Sequence, residues 1–374
     1  MIYADNAATT QLDPDALDAM MPYLTECYGN PSQPYSFSRK QRKALQEARE
    51  IIADCIGATA DEIYFTSGGT ESDNWVIKNS LEYRNKYSII TSSFEHHAIL
   101  KACEDIAKFG VPINYIKPNK EGFITLQALE SLITETTKLV SIMMVNNEIG
   151  TIQPIKELAT ISHKYGALFH TDAVQAVGHI MIDVKDMDAD FLSASAHKFN
   201  GPRGTGFLYI KKGIKINPFM SGGAQEYGMR AGTENVAAIV GMSVALKNNN
   251  KMIAEVQNNT AICSTYLKKL LIDAGIDCVF NGGEPKISSN INVSFKDISG
   301  EMLLHRLDLM GILVSTGSAC DGSKTQISHV IKEIGVPKDY ASGTIRISLG
   351  KNVSIEEVEK IANAIKKIIL KSVV

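Results

Sequence analysis

Between residues 63 and 210 short β-branched runs alternate with amphipathic stretches, which is the pattern of parallel strands joined by crossover helices. No other feature narrows the possible folds as far. The strand candidates are 63–66, 88–92, 113–116, 139–145, 168–172, 191–194 and 207–210. Among the helices, 42–55 carries Leu45, Ala48, Ile51, Ile52 and Cys55 at helical spacing, with Gly57 just past its end, and 154–165 is followed by Gly166 in the same way. Helix-forming residues then run from Glu234 to about Ala274, broken by the polar stretch 247–251, and mark the boundary to a different tail. There 291–295, 312–315 and 345–349 read as strands and 301–309 and 355–370 as helices, a smaller α+β unit. No repeat or low-complexity tract interrupts the pattern.

A chain of 374 residues has room for one or two domains with large cores, and so for a buried cofactor. Its 38 Lys and Arg against 41 Asp and Glu give a net charge of −3, which argues against an extended nucleic-acid surface. No stretch approaches the roughly 20 apolar residues that span a bilayer. The start, MIYADNAATT, has neither a basic nor an apolar leader region, so a cytoplasmic protein is expected. The six cysteines (Cys27, Cys55, Cys103, Cys263, Cys278, Cys320) form no CxxC pair and read as reduced thiols.

Chemistry-bearing residues gather at the ends of the predicted strands. After 63–66 comes Ser67-Gly68-Gly69-Thr70-Glu71-Ser72-Asp73-Asn74, whose small residues at a helix start suit a phosphate or, equally, an ordinary cap by Thr70 or Ser72. There is no P-loop or GxGxxG fingerprint. Asp172 closes 168–172, where an acid serves a cofactor or caps the next turn. The next strand leads into Ser195-Ala196-His197-Lys198 and the turn Gly201-Pro202-Arg203-Gly204. A lysine one strand over from an acid, with a phosphate turn on an earlier strand, is what pyridoxal 5′-phosphate needs. Glu95-His96-His97-Ala98 brings imidazoles to the same edge, either solvated at a helix start or stacked on a pyridine ring. In the tail, Cys320 lies among Ser315, Thr316, Gly317, Ser318, Ala319, Asp321, Gly322 and Ser323. Surroundings without an apolar face suit a thiolate nucleophile better than a core thiol. Arg346, in a strand candidate, offers a planar fork for a carboxylate or an ordinary salt bridge.

Together with Tyr3-Ala4-Asp5-Asn6-Ala7-Ala8-Thr9-Thr10, Gly29-Asn30-Pro31-Ser32 and Val145-Asn146-Asn147-Glu148-Ile149-Gly150, these motifs resemble, in order and over nearly the whole chain, the NifS/IscS-like cysteine desulfurases. That family belongs to the class V aminotransferase group of fold-type I pyridoxal phosphate enzymes. The resemblance implies an α/β fold, with a large cofactor-binding domain of mainly parallel, doubly wound sheet over 15–260. A small α+β domain, 1–14 with 261–374, would carry the cysteine loop. It implies Lys198 as the Schiff-base lysine, Asp172 on the pyridine nitrogen, His96 stacked on the ring, and Asn147 and Gln175 around the ring oxygen and substrate. Gly69, Thr70, Ser195 and His197 match the phosphate set, and Thr233 a threonine that reaches the phosphate of the neighbouring subunit in a homodimer. Arg346, with Asn147 and Asn30, would bind the substrate, and Cys320 would form the persulfide. No resident metal is implied, although Cys320 is a candidate transient iron–sulfur ligand.

The implied reaction converts L-cysteine to L-alanine and passes sulfur to an iron–sulfur scaffold protein or another acceptor, for clusters, tRNA thiolation or thio-cofactors. Thr325-Gln326-Ile327-Ser328 replaces a Leu-Glu-Pro-Ser segment frequent in the family, and from the ending Lys371-Ser372-Val373-Val374 the docking extension of some members is not expected, so the acceptor stays open. Selenocysteine lyase and another aminotransferase-like enzyme are the alternatives within the cofactor class. A transaminase has no need of Cys320. A non-catalytic assembly protein is disfavoured by the presence of both Lys198 and Cys320.

Overall fold

Strands buried along their whole length need cover on both faces, and the computed structural model, which describes residues 1–83, 86–317 and 327–372, provides it. In chain order the strands are β1 (Ile2–Tyr3), β2 (Ile63–Thr66), β3 (Ser88–Ser92), β4 (Ile113–Ile116), β5 (Thr137–Ser141), β6 (Leu168–Asp172), β7 (Phe191–Ser195) and β8 (Gly206–Ile210). β9 (Cys278–Asn281), β10 (Asn290–Phe295), β11 (Ile312–Leu313) and β12 (Thr344–Ser348) follow. Seven of them form one sheet in the order β2-β8-β7-β6-β5-β3-β4. Neighbouring residues serve opposite faces, as the pleat requires. Ile90, Val140, Leu192, Phe207 and Tyr209 join the core under the helices Arg39–Ile56 and Ile155–Lys164. Ile89, Leu139, Phe191, Leu208 and Ile210 join the one under Gly69–Asn79 and His97–Ala107.

Pairing is parallel from β4 through β3, β5 and β6 to β7, while β8 runs antiparallel to both β7 and β2. β2 therefore points the same way as β7. The carboxyl ends of β2, β3, β6 and β7 consequently open on one edge. Gly206 is needed where β8 begins, since a Cβ there would lie 2.3 Å from the Ala194 carbonyl oxygen and 2.7 Å from the Gly68 Cα.

Two expectations are corrected. The strand expected over 139–145 ends at Ser141, because the buried Glu95 carboxylate takes the Met143 N–H at 3.0 Å in place of a ladder partner. The break expected at 247–251 is absent, and one helix runs unbroken over Val236–Asp273. Its polar residues make tertiary contacts instead: Asn248 donates to Asp15 at 3.0 Å, Asn249 to the Phe199 carbonyl at 2.8 Å and Asn250 to the Cys55 carbonyl at 2.8 Å.

That helix feeds two cores, with Ile239, Met242 and Leu246 in the first and Cys263, Leu267 and Leu271 in the second. The second core lies against the antiparallel sheet β12-β10-β9, under the helices Gly300–Asp308 and Ile355–Ser372. Residues 4–10 tie the two together. Ser348 N–H donates to the Ala4 carbonyl at 2.8 Å, and Thr10 N–H to the His197 carbonyl at 2.9 Å. Among the described residues no helix is long and apolar enough to cross a membrane.

Candidate active site

The shared sheet edge holds a cavity of about 340 Å³ lined by Gly69, Thr70, His96, Asn147, Asp172, Gln175, Ser195, His197, Lys198 and Arg346. Most stand at strand ends or in the loops that follow them, Arg346 stands inside β12, and Ala7 and Ala8 of the strap of residues 4–10 complete the wall. After β2 the chain turns through Gly68, whose φ of 148° lies outside the range most side chains accept, into the helix Gly69–Asn79. Among the described residues no side chain caps that helix, so the cap by Thr70 or Ser72, the alternative to a phosphate site, is not made, and its first amides keep their anion-binding character. A Cβ on Gly69 would lie 2.4 Å from Val174 Cγ2, which shows how closely the turn sits on the segment after β6.

Asp172 does cap: its Oδ1 accepts the Val174 N–H at 2.9 Å, yet the residue also faces the cavity. Burial pushes its carboxyl up, to about 6. Beside it Asp73 is 1% exposed, and its Oδ1 has no hydrogen-bond partner among the described residues. Burial, then the neighbouring Asp172, pushes Asp73 well above the usual carboxylate range. His96 caps the helix His97–Ala107 through Nδ1, which accepts the Ala98 N–H at 3.1 Å. Burial, followed by the Lys198 charge, holds His96 down at about 4. It is thus a neutral ring whose proton sits on Nε2.

Across the cavity Lys198 Nζ donates to the carbonyls of Ala7 at 2.7 Å and Ala8 at 2.8 Å, and Gln175 donates to Ala7 at 2.9 Å. Arg346, only 5% exposed, gives one nitrogen to Asp5 at 2.8 Å and another to the Asn147 carbonyl at 2.9 Å. Its Nε is buried without a partner among the described residues. Burial, then Lys198 and Arg203, lowers His197 to about 4, and its Nδ1 meets the Thr9 hydroxyl at 3.2 Å.

Two sequence candidates are not brought to the cavity of their own chain. Asn30 closes a local turn by accepting the Ser32 N–H at 2.9 Å, and Thr233 is exposed. Cys320 lies outside the described residues, while Ser315 and Gly317 just before it are on the cavity wall. Sequence reasoning gave no individual role to Asp5, Asp73 or Glu95. All three stand inside the quoted motifs, and only burial and long-range pairing single them out.

The aminotransferase class-V family profile matches residues 2–361. The cysteine desulfurase IscS of Dictyoglomus turgidum is 46% identical over 99% of this chain and 95% of its own. That of Methanosarcina thermophila is 45% identical over 99% and 92%. A solved NifS-like protein superposes with a TM-score of 0.93 at 36% identity, covering 98% of this chain and 99% of the other. SspA in complex with cysteine superposes at 0.82 and 34% identity, covering 93% and 99%. The chain belongs to the class-V aminotransferases. Within them it is a member of the cysteine desulfurases.

Proposed function

We propose that the cavity binds pyridoxal 5′-phosphate and that this desulfurase uses it to convert L-cysteine to L-alanine, with the sulfur retained as a persulfide on Cys320. The convergence of Lys198, Asp172 and the uncapped turn at Gly69 on one cavity carries the reading. These residues fit the group. The amides of Gly69 and Thr70, with Ser195 and His197, would hold the phosphate, Asp172 the pyridine nitrogen, His96 one ring face, and Asn147 and Gln175 the ring oxygen. When bound through Lys198, the cofactor supplies an electron sink that makes the substrate α-carbon acidic.

The remaining work falls to the chain. The unpartnered Nε of Arg346 suits the α-carboxylate. Lys198 would carry the α-proton, and neutral His96 would exchange a proton near the sulfur. The Cys320 thiolate attacks the substrate sulfur and the carbon–sulfur bond breaks. Its electron pair stays with the carbon skeleton, which takes up protons to become L-alanine.

A homodimer belongs to the same proposal, since Thr233, which matches a threonine that reaches the neighbouring subunit's phosphate, is exposed and does not line the cavity of its own chain. So do an iron–sulfur scaffold or other acceptor protein, a cytoplasmic location, and the division into 15–260 and 1–14 with 261–374. The separate core around Leu267, Val293 and Ile347 supports that division, although Val330, Ile331 and Ile334 pack into the large core.

The test is a visible spectrum before and after L-cysteine. The purified protein should be yellow, Lys198→Ala should lose the band, and Cys320→Ser should keep it and still respond to L-cysteine. Mass spectrometry should place added sulfur on Cys320 of the wild type alone. Sulfur on Cys27, Cys55, Cys103, Cys263 or Cys278, with turnover intact in the Ser variant, would overturn the assignment.

A further inference from the structure

The turn after β2 carries a negative charge where a phosphate would need none. Glu71 lies in the first turn of the helix Gly69–Asn79, and its Oε2 accepts the Ser67 N–H at 3.1 Å, closing the turn. A phosphate bound by the neighbouring amides would meet this carboxylate as a like charge. Arg230 answers it with two parallel contacts, Nε to Oε1 at 2.9 Å and a terminal nitrogen to Oε2 at 3.1 Å. Both side chains are mostly buried, at 10% exposure for Glu71 and 23% for Arg230, so water screens the pair little. Burial pushes the Glu71 carboxyl up, but the hydrogen bonds from Arg230 and Ser67 outweigh it and hold the group below its ordinary value, hence ionised.

Arg230 is itself held in place. The segment before it passes through Glu226 and Tyr227, both left-handed at φ 47° and 58°, a conformation that costs energy without glycine. What keeps it there is the buried Glu226 carboxylate, which pairs with Arg49 at 2.7 Å and accepts the Phe65 N–H of β2 at 2.8 Å. The segment is thus anchored both to the strand that leads into the turn and to the turn itself.

We propose that Arg230 is a positioning residue for the cofactor phosphate: it neutralises Glu71 and holds that carboxylate on the Ser67 amide, leaving the Gly69 and Thr70 amides for the anion. The proposal rests on reading the turn as the phosphate site. It predicts an asymmetry that a merely structural ion pair does not. Arg230→Gln uncovers the Glu71 charge and should weaken binding of the phosphate ester. Glu71→Gln added to that background removes the repulsion and should restore most of the loss.

Pyridoxal 5′-phosphate and pyridoxal, which lacks the phosphate, are titrated into apoprotein by fluorescence quenching, and the ratio of their affinities is compared. Arg230→Gln should reduce the preference for the phosphate by about tenfold or more, and the double variant should regain most of it. An unchanged ratio, equal weakening of both ligands, or a double variant no better than Arg230→Gln each overturns the proposal. A wild type without preference for the phosphate would instead sink the reading of the turn. Should Arg230→Gln not fold, Arg230→Lys, which keeps the charge and loses the two-pronged contact, should retain more of the preference than Arg230→Met, and equality of the two would also count against it.

Discussion

Lysine in place of Arg346 keeps the charge and removes the fork. Three nitrogens define the native position: one on Asp5 at 2.8 Å, one on the Asn147 carbonyl at 2.9 Å, and a buried Nε without a partner among the described residues. A single ammonium cannot span Asp5 and Asn147 and still meet an incoming carboxylate. A hydrogen bond to a charged group contributes about 1.5–3 kcal/mol, so L-cysteine should bind roughly 10- to 100-fold more weakly. The loss should fall on KM rather than kcat, because the α-carboxylate is bound alike before and during the chemistry. Alanine formation at varied L-cysteine measures this, and cysteamine, the same molecule without the carboxylate, is the control as a competing ligand. The wild type should prefer L-cysteine and the variant should lose that preference by the same factor. Alanine at this position is a poorer test, since it also leaves Asp5 without its cation and adds a folding loss. An unchanged KM with the discrimination against cysteamine intact would refute the reasoning.

Gly206→Ala should lower stability by about 1–3 kcal/mol and weaken pyridoxal phosphate binding, because the new Cβ meets the Ala194 carbonyl and the Gly68 Cα. Wild-type melting and affinity would show that no such close approach exists. His96 has a folded value of about 4, below its ordinary 6.5, so its contribution to stability is present above pH 6.5 and lost as pH falls through about 4. In apoprotein, His96→Gln should flatten the fall of melting temperature across that window, and an unaltered slope would count against it. Thr233→Ala should weaken cofactor binding in a protein that sediments as a homodimer, and a fully active monomer would remove the trans role of Thr233.

How far the sequence alone reaches is seen at the strands. Ile63–Thr66, Ser88–Ser92, Ile113–Ile116 and Leu168–Asp172 begin and end where β-branched periodicity puts them, because the pleat and its burial are read from neighbouring residues. Most of the chemical groups were legible for the same reason, standing next to a strand end, whereas Arg346 stands inside β12. β9 was missed because only one of its four residues is buried, and β1 because two residues carry no period.

Local sequence determined the α/β class, the strand ends and the residue types waiting there. What it left to the tertiary structure was which of those groups meet. The antiparallel β8 turns β2 parallel to β7 and so brings Gly69 to the edge of Lys198. Asp5 reaches Arg346 across 341 residues and Ala7 reaches Lys198 across 191. Glu95 ends β5, and Asn249 carries a helix through a stretch whose polarity predicted a break. Local patterns record which face of an element is buried, whereas these outcomes depend on hydrogen-bond partners and burial that exist only once distant segments have packed together.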